Sequence, residues 1–264
     1  MKLTKLMKYG LLAVAAAWIL TGCTVQVSTS GLDTCKFREE RSATLPAADV
    51  RTLNVLARSG SLRIEGRSGL TEVRVRGTAC ATTQDLVSRV DLKAEKAGDT
   101  IRVEAVIPPV SVGNSPMLDL ALEVPESMIA RIEDTSGDIE VRRIAEVEID
   151  DESGSMDVVD IAGPVRITDE SGEIEVINAG GDVRIPRDQS GNITIRAAAR
   201  NVTIDRDESG EITISDVAGD VLIDTDESGG IDVRDIRGNF TVNRDGSGGI
   251  RYEHVSGSVR VPSK

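Results

Sequence analysis

From about residue 131 onward the apolar residues of this chain return at fixed distances from a recurring glycine. Two residues after Gly137, Gly154, Gly172, Gly191, Gly210, Gly229 and Gly248 stand Ile139, Met156, Ile174, Ile193, Ile212, Ile231 and Ile250. Further apolar residues follow four, usually seven, eleven and thirteen positions on. Inside one unit the spacing is two, as in Ile212 with Ile214 and Val221 with Ile223, and Glu211, Thr213, Ser215 and Asp220 fill the gaps. Spacing two puts the apolar set on one face of a strand, whereas a helix needs three and four. A second glycine, at 163, 181, 219, 238 and 257, divides most units in half. Each unit therefore reads as strand, bend, strand, bend.

The bend before the first strand carries Asp-x-Ser-Gly. Its aspartates are Asp134, Asp151, Asp169, Asp188, Asp207, Asp226 and Asp245. Its serines are Ser136, Ser153, Ser171, Ser190, Ser209, Ser228 and Ser247, at intervals of 17, 18 and then 19 residues. A unit this short cannot bury its own apolar face, so the units must stack into a continuous core. The prediction is an all-β, right-handed parallel β-solenoid, its hand following the general preference for right-handed crossovers. Upstream, Ser59-Gly60, Leu62, Ile64, Val73 and Val75 repeat the offsets in degenerate form. Gln84 to Val87 reads as a short helical turn, and Ala97-Gly98-Asp99 as the tip of a hairpin leading into Ile101, Val103 and Val106. The solenoid is placed at 48–264, with an irregular segment about 81–130 that caps the first coil and regular repeats about 131–264. At the far end Tyr252 replaces an aliphatic core residue among Arg251, Glu253, Arg260, Pro262 and Lys264, an edge charged against polymerisation.

The first residues read differently. Lys2, Lys5 and Lys8 precede an apolar run from Leu11 to Leu20, too short for a membrane span and suited to a signal peptide over 1–22. The run ends in Leu20-Thr21-Gly22-Cys23, which resembles the bacterial lipoprotein signal. That resemblance implies lipid attachment at Cys23, with several acyl chains giving a stable anchor. Residues 23–47 then form a polar, lipidated tether. Thr24, where an Asp would favour inner-membrane retention, points by the same resemblance to the outer membrane of a Gram-negative cell. With Cys23 assigned to lipid, Cys35 and Cys80 remain, and one leftover pair in an exported chain invites a disulfide, with two separate thiols as the alternative.

Composition narrows the function. The formal net charge is -13, and falls to -16 without the three leader lysines. Such a surface repels a phosphate backbone, so no nucleic-acid partner is expected. Aromatics are nearly absent: beyond Tyr9 and Trp18 of the leader only Phe37, Phe240 and Tyr252 remain, which leaves no platform for sugars. Carboxylate pairs such as Asp207 and Glu208 occur in nearly every unit, whereas a catalytic pair should break the repeat. The one histidine, His254, reads as a surface side chain, and the serines sit in turn signatures and not beside a base. No catalytic residue, cofactor or small-molecule substrate is expected.

The aspartate and serine ladder reads as turn caps, whose side chains accept backbone N–H groups two residues on. Stacked carboxylates about 4.8 Å apart repel by about 0.9 kcal/mol per pair in water, which Arg187, Arg206, Arg244 and solvent screening would offset. A cation bound along the ladder is the alternative, although the calcium-type nonapeptide is missing.

The Ser-Gly-x-Ile/Val turns, such as Thr135-Ser136-Gly137-Asp138-Ile139, and the lead-in Leu122-Glu123-Val124-Pro125 resemble a group of bacterial envelope proteins, the β-strand-repeat putative-adhesin family. The likeness runs roughly from Val50 to Val261. It implies a solenoid in the cell envelope without established catalysis. The resulting expectation is a non-enzymatic, lipid-anchored envelope scaffold or binding module whose protein partner is unknown. A calcium-type cation-stabilised ladder and a glycan-active β-helix enzyme are the alternatives.

Overall fold

The computed structural model describes residues 35–109 and 115–263. The leader, Cys23 and the first part of the tether lie outside the described residues. The strands before the regular repeats are β1 (Phe37–Pro46), β2 (Thr52–Ser59), β3 (Leu62–Arg67), β4 (Glu72–Ala81), β5 (Asp91–Ala97), β6 (Thr100–Val106), β7 (Met117–Pro125) and β8 (Ile129–Ser136). One helical turn, α1 (Gln84–Val87), joins β4 to β5.

The repeats follow as strand pairs: β9 (Ile139–Arg142) and β10 (Glu146–Asp151), β11 (Met156–Ile161) and β12 (Val165–Asp169), β13 (Ile174–Ala179) and β14 (Val183–Arg187), β15 (Ile193–Ala198) and β16 (Val202–Ile204). The last three are β17 (Ile212–Val217) and β18 (Val221–Asp226), β19 (Ile231–Ile236) and β20 (Phe240–Asp245), β21 (Ile250–Val255) and β22 (Val259–Arg260).

The strands form two sheets of eleven. One runs β1-β4-β7-β3-β9-β11-β13-β15-β17-β19-β21, the other β5-β6-β2-β8-β10-β12-β14-β16-β18-β20-β22. All pairings are parallel except those of β1 with β4, β4 with β7 and β5 with β6. The β-solenoid is thus observed, with equivalent residues in register from coil to coil: Ile193 lies beside Ile212, and Ile212 beside Ile231. The core between the sheets is the predicted set; Ile212, Ile214, Val217, Val221 and Ile223 are buried.

The apolar residue seven after the glycine faces inward only because the residue before it breaks the alternation. Arg143, Asp160, Asn178, Ala197, Asp216, Asp235 and His254 all hold φ between 53° and 60°. Left-handed backbone is costly for residues other than glycine and least so for Asp and Asn, which occupy four of these seven places. Glycine is obligatory at the other corner: Gly210 has φ 143°, and a Cβ there would lie 1.5 Å from the Gly191 carbonyl oxygen.

Two expectations are corrected. Residues 37–46 are not tether but strand β1, paired antiparallel along its whole length with β4. Their polar look has a physical cause: Arg41 turns onto α1 and donates to the carbonyls of Val87 at 3.2 Å and Val90 at 3.1 Å, with Glu39 as its ion partner. The segment about 81–130 is also less irregular than expected. Strands β6 and β7 lie parallel to β2 and β3 and make a further layer beneath them. The chain thus leaves its first coil on one side, builds that layer, and returns on the other side through β8 and β9. The helix and the hairpin tip fall where expected, Gly98 supplying φ 64° at the tip.

Candidate functional site: two columns at the bends and a mixed outer face

At the Asp-x-Ser-Gly bend the aspartates stack in register, Asp134 beside Asp151, Asp151 beside Asp169, Asp188 beside Asp207, Asp207 beside Asp226 and Asp226 beside Asp245. They are not surface caps. Asp151, Asp169, Asp188, Asp207 and Asp226 are at most 1% exposed and Asp134 is 6% exposed. In all six, neither carboxylate oxygen has a hydrogen-bond partner of acceptable geometry. Strand alternation brings Asp134, Asp151 and Asp169 inward two positions after Ile132, Ile149 and Ile167, whereas Asp226 stands three positions after Ile223 and an extra residue turns it into the corner.

Burial pushes all six carboxyls up from the ordinary 3.8, to about 6 for Asp151 and about 7 for Asp134, Asp169, Asp188, Asp207 and Asp226. Neighbouring column charges add to the rise, as Asp188 does for Asp207. The N–H groups of the next two residues oppose it, as Thr135 and Ser136 do for Asp134, without reaching hydrogen-bond geometry. Asp207 lies in register between Asp188 and Asp226, so a charge on one disfavours a charge on the next. Near neutral pH the column is a partly protonated string.

The surrounding groups do not neutralise it. Arg187 and Arg206 pair with Glu208 at 3.6 and 3.4 Å, and Arg244 with Asp224 at 3.5 Å, all on the outer surface. The serines also differ from expectation. Ser153, Ser171, Ser190, Ser209 and Ser228 donate their hydroxyls to the carbonyls of Thr135, Glu152, Glu170, Gln189 and Glu208 one coil earlier, at 3.0–3.3 Å. They tie coil to coil and do not close their own turn.

A second column, not anticipated, runs along the opposite bend through Asp182, Asn201, Asp220, Asn239 and Ser258. Each side-chain oxygen accepts the backbone N–H of the next coil: Asn201 to Asp182 at 3.0 Å, Asp220 to Asn201 at 2.9 Å, Asn239 to Asp220 at 2.7 Å and Ser258 to Asn239 at 2.9 Å. The amides of Asn201 and Asn239 also donate to Asp182 and Asp220. The alternation of Asp with Asn at residues opening the second strand was the available signal.

Between these corners the outer face of the first sheet mixes apolar, polar and charged side chains. Val159 lies beside Ile177 and Thr194 beside Thr213, and the Arg196–Glu175 ion pair, at 3.2 Å, stands between the two couples, with Asp157 beside Glu175. Further charged residues bound this stretch, Glu140 and Arg142 on one side, Asp232 and Arg234 on the other. Two open grooves border the last coils. One, about 620 Å³, follows the glycine corner past Ser209, Gly229 and Gly230; the other, about 560 Å³, follows the left-handed corner past Ala197, Asp216 and Asp235. Among the described residues no three His, Cys, Asp or Glu side chains converge on a point that could hold a metal ion.

Cys35 and Cys80 are joined by a disulfide, which fixes the start of β1 to the end of β4. His254 is exposed and faces Asp235 Oδ1 at 3.1 Å. Ser136 and Ser247 occupy the same bend as the other serines, and Asp245 closes the aspartate column at the last coil.

No protein-family model and no curated protein matches the chain. Among solved structures it is similar to a putative adhesin from Parabacteroides merdae, with TM-score 0.46 and 10% identity over 85% of this chain and 97% of that one. It is also similar to a putative lipid binding protein from Parabacteroides distasonis, with TM-score 0.40 and 18% identity over 87% and 98%. For a putative cell adhesion protein from Clostridium sporogenes the values are 0.35 and 11% over 86% and 100%. At these identities and scores the likeness speaks to neither ligand nor activity.

Proposed function

We propose that this protein is a non-enzymatic binding module of the cell envelope, exported and anchored by lipid at Cys23, whose recognition surface is the outer face of the first sheet. The outer face around Val159, Ile177, Thr194 and Thr213 carries this reading, because side-by-side apolar and hydroxyl side chains there surround an Arg196–Glu175 pair whose charges already offset each other, the mixed composition of a face that a protein partner covers. Its perturbed acids favour the same reading. They recur once per coil and lie inside the bend, where no substrate reaches them, whereas a hydrolase needs one accessible pair.

The test compares wild-type protein with a Thr194→Arg, Thr213→Arg variant on envelopes from cells that lack it. Saturable binding by the wild type, weakened at least about tenfold by the variant at unchanged melting temperature, supports the reading; each 1.4 kcal/mol of lost contact energy is one such factor. Equal binding by both, or release of sugar product from envelope glycans, overturns it. For the anchor, the mature chain is expected to begin at an acylated Cys23 and to sediment with membranes, and Cys23→Ala to release it or block processing. A soluble wild-type chain with an unmodified N-terminus refutes that part alone.

A further inference from the structure

The two ends of the solenoid are finished differently. At the start the core is closed by α1, whose own Val87 is fully buried, as is Val90 just after it. At the far end the core runs out into the open: Tyr252 is 46% and Val259 36% exposed, and Ile250, Val255 and Val261 are only partly covered. The Tyr252 ring rests 6.0 Å from that of Phe240, so it continues the core past the last complete coil. Strands β21 and β22 have one neighbour each, β19 and β20. Their outer edges offer unpaired backbone N–H and C=O groups, which pair readily with another strand.

We propose that this end is a self-association surface on which a second copy of the chain docks edge to edge about a two-fold axis. The charge pattern favours that occupant. Antiparallel pairing of β21 with its own copy, centred on Tyr252, sets Arg251 opposite Glu253 of the second copy, and Glu253 opposite its Arg251. Both side chains are exposed, and among the described residues neither has an ion pair within its own chain. An axis normal to the two sheets makes each sheet continuous with its own copy and brings the two Tyr252 rings together over the joined cores. Such an isologous contact closes on itself. It uses up the open edge of both copies and leaves none for a third, so the charges that discourage open polymers also define one dimer.

The full-length chain in its native membranes supplies the test. A cysteine on the symmetry axis meets its own copy, so Tyr252→Cys is expected to give a disulfide-linked species of twice the chain mass under mild oxidation. Adding Arg251→Glu, or Glu253→Arg, should lower its yield at least about tenfold by setting like charges opposite each other, about 1.4 kcal/mol by the standard conversion. The double exchange Arg251→Glu with Glu253→Arg should restore it. Failure to dimerise in a variant whose melting temperature matches wild type, indifference to the charge exchanges, or an adduct with a protein of another mass each overturns the proposal.

Discussion

The two bends of this solenoid each carry a column of acidic side chains, and they handle the same stacking problem in opposite ways. Along the second bend the acids are exposed, Asp alternates with Asn, and each oxygen takes an N–H from the next coil. Along the Asp-x-Ser-Gly bend the acids are buried, follow one another without interruption and lack hydrogen-bond partners. The first column dilutes its charge by sequence, the second by protonation. A parallel solenoid forces this choice, because whatever stands at a bend stands again one coil later at strand spacing.

The largest effect should come from an acid that has neither device. Ile212 is fully buried against Ile193 and Ile231, so Ile212→Asp places a carboxyl in the core without column neighbours. A loss of several kcal/mol is expected, against a near-silent Thr213→Asp on the outer face. Equal losses in a denaturant titration would show that the buried column is not a special place for an acid.

Next comes the pH response of the buried column. The folded chain holds protons at carboxyls near 7 that the unfolded chain, with ordinary aspartates near 3.8, gives up. Their contribution is therefore complete below about pH 4, shrinks as pH rises, and is gone once pH passes through the folded values near 7. The chain should melt higher at pH 5 than at pH 8. A double Asp188→Asn, Asp207→Asn substitution should raise the pH 8 melting temperature by roughly 3 °C per kcal/mol recovered and flatten the profile. A wild-type profile that climbs from pH 5 to pH 8 would sink this account.

The smallest effect tests the exposed column. Asn201→Asp keeps the acceptor for the Asp220 N–H but loses the donor to Asp182 and sets three carboxylates in a row. A loss of about 1–2 kcal/mol is expected at low ionic strength, and most of it should vanish in 1 M salt. Salt-independent destabilisation would mean that charge is not what the alternation controls.

Much of the fold was legible because a stacked coil cannot disguise its period: Ile139 through Ile231 recur at one offset and fill one wall of the core. The columns were harder. Asp-x-Ser-Gly has the same letters whether its Asp caps a turn from outside or turns into the corner. The mark that distinguishes the two is strand alternation in Ile132 to Asp134, Ile149 to Asp151 and Ile167 to Asp169, and the longer step from Ile223 to Asp226 hides it in the later coils. The left-handed corner carried a similar faint mark in Asp160, Asn178, Asp216 and Asp235, residues that tolerate such backbone. Strand β1 was illegible for a different reason. Glu39 and Arg41 read as solvated tether, and their use depends on carbonyls of α1 more than forty residues away.

The detour at the start of the chain sets an order of assembly. Thr52 pairs on one side with Thr100 and on the other with Ile129, whereas each later coil finds its neighbour within about nineteen residues. Long closures are slow and costly in entropy, and short ones are quick. The regular coils, whose contacts are local, can therefore close first and at any point along the repeat, while the segment through Arg142 waits on its long loops. From the first closed coil others add on either side, like rungs laid along a ladder begun in the middle. Losing the last rungs then shortens the molecule, and losing part of the first segment uncovers one end of the core.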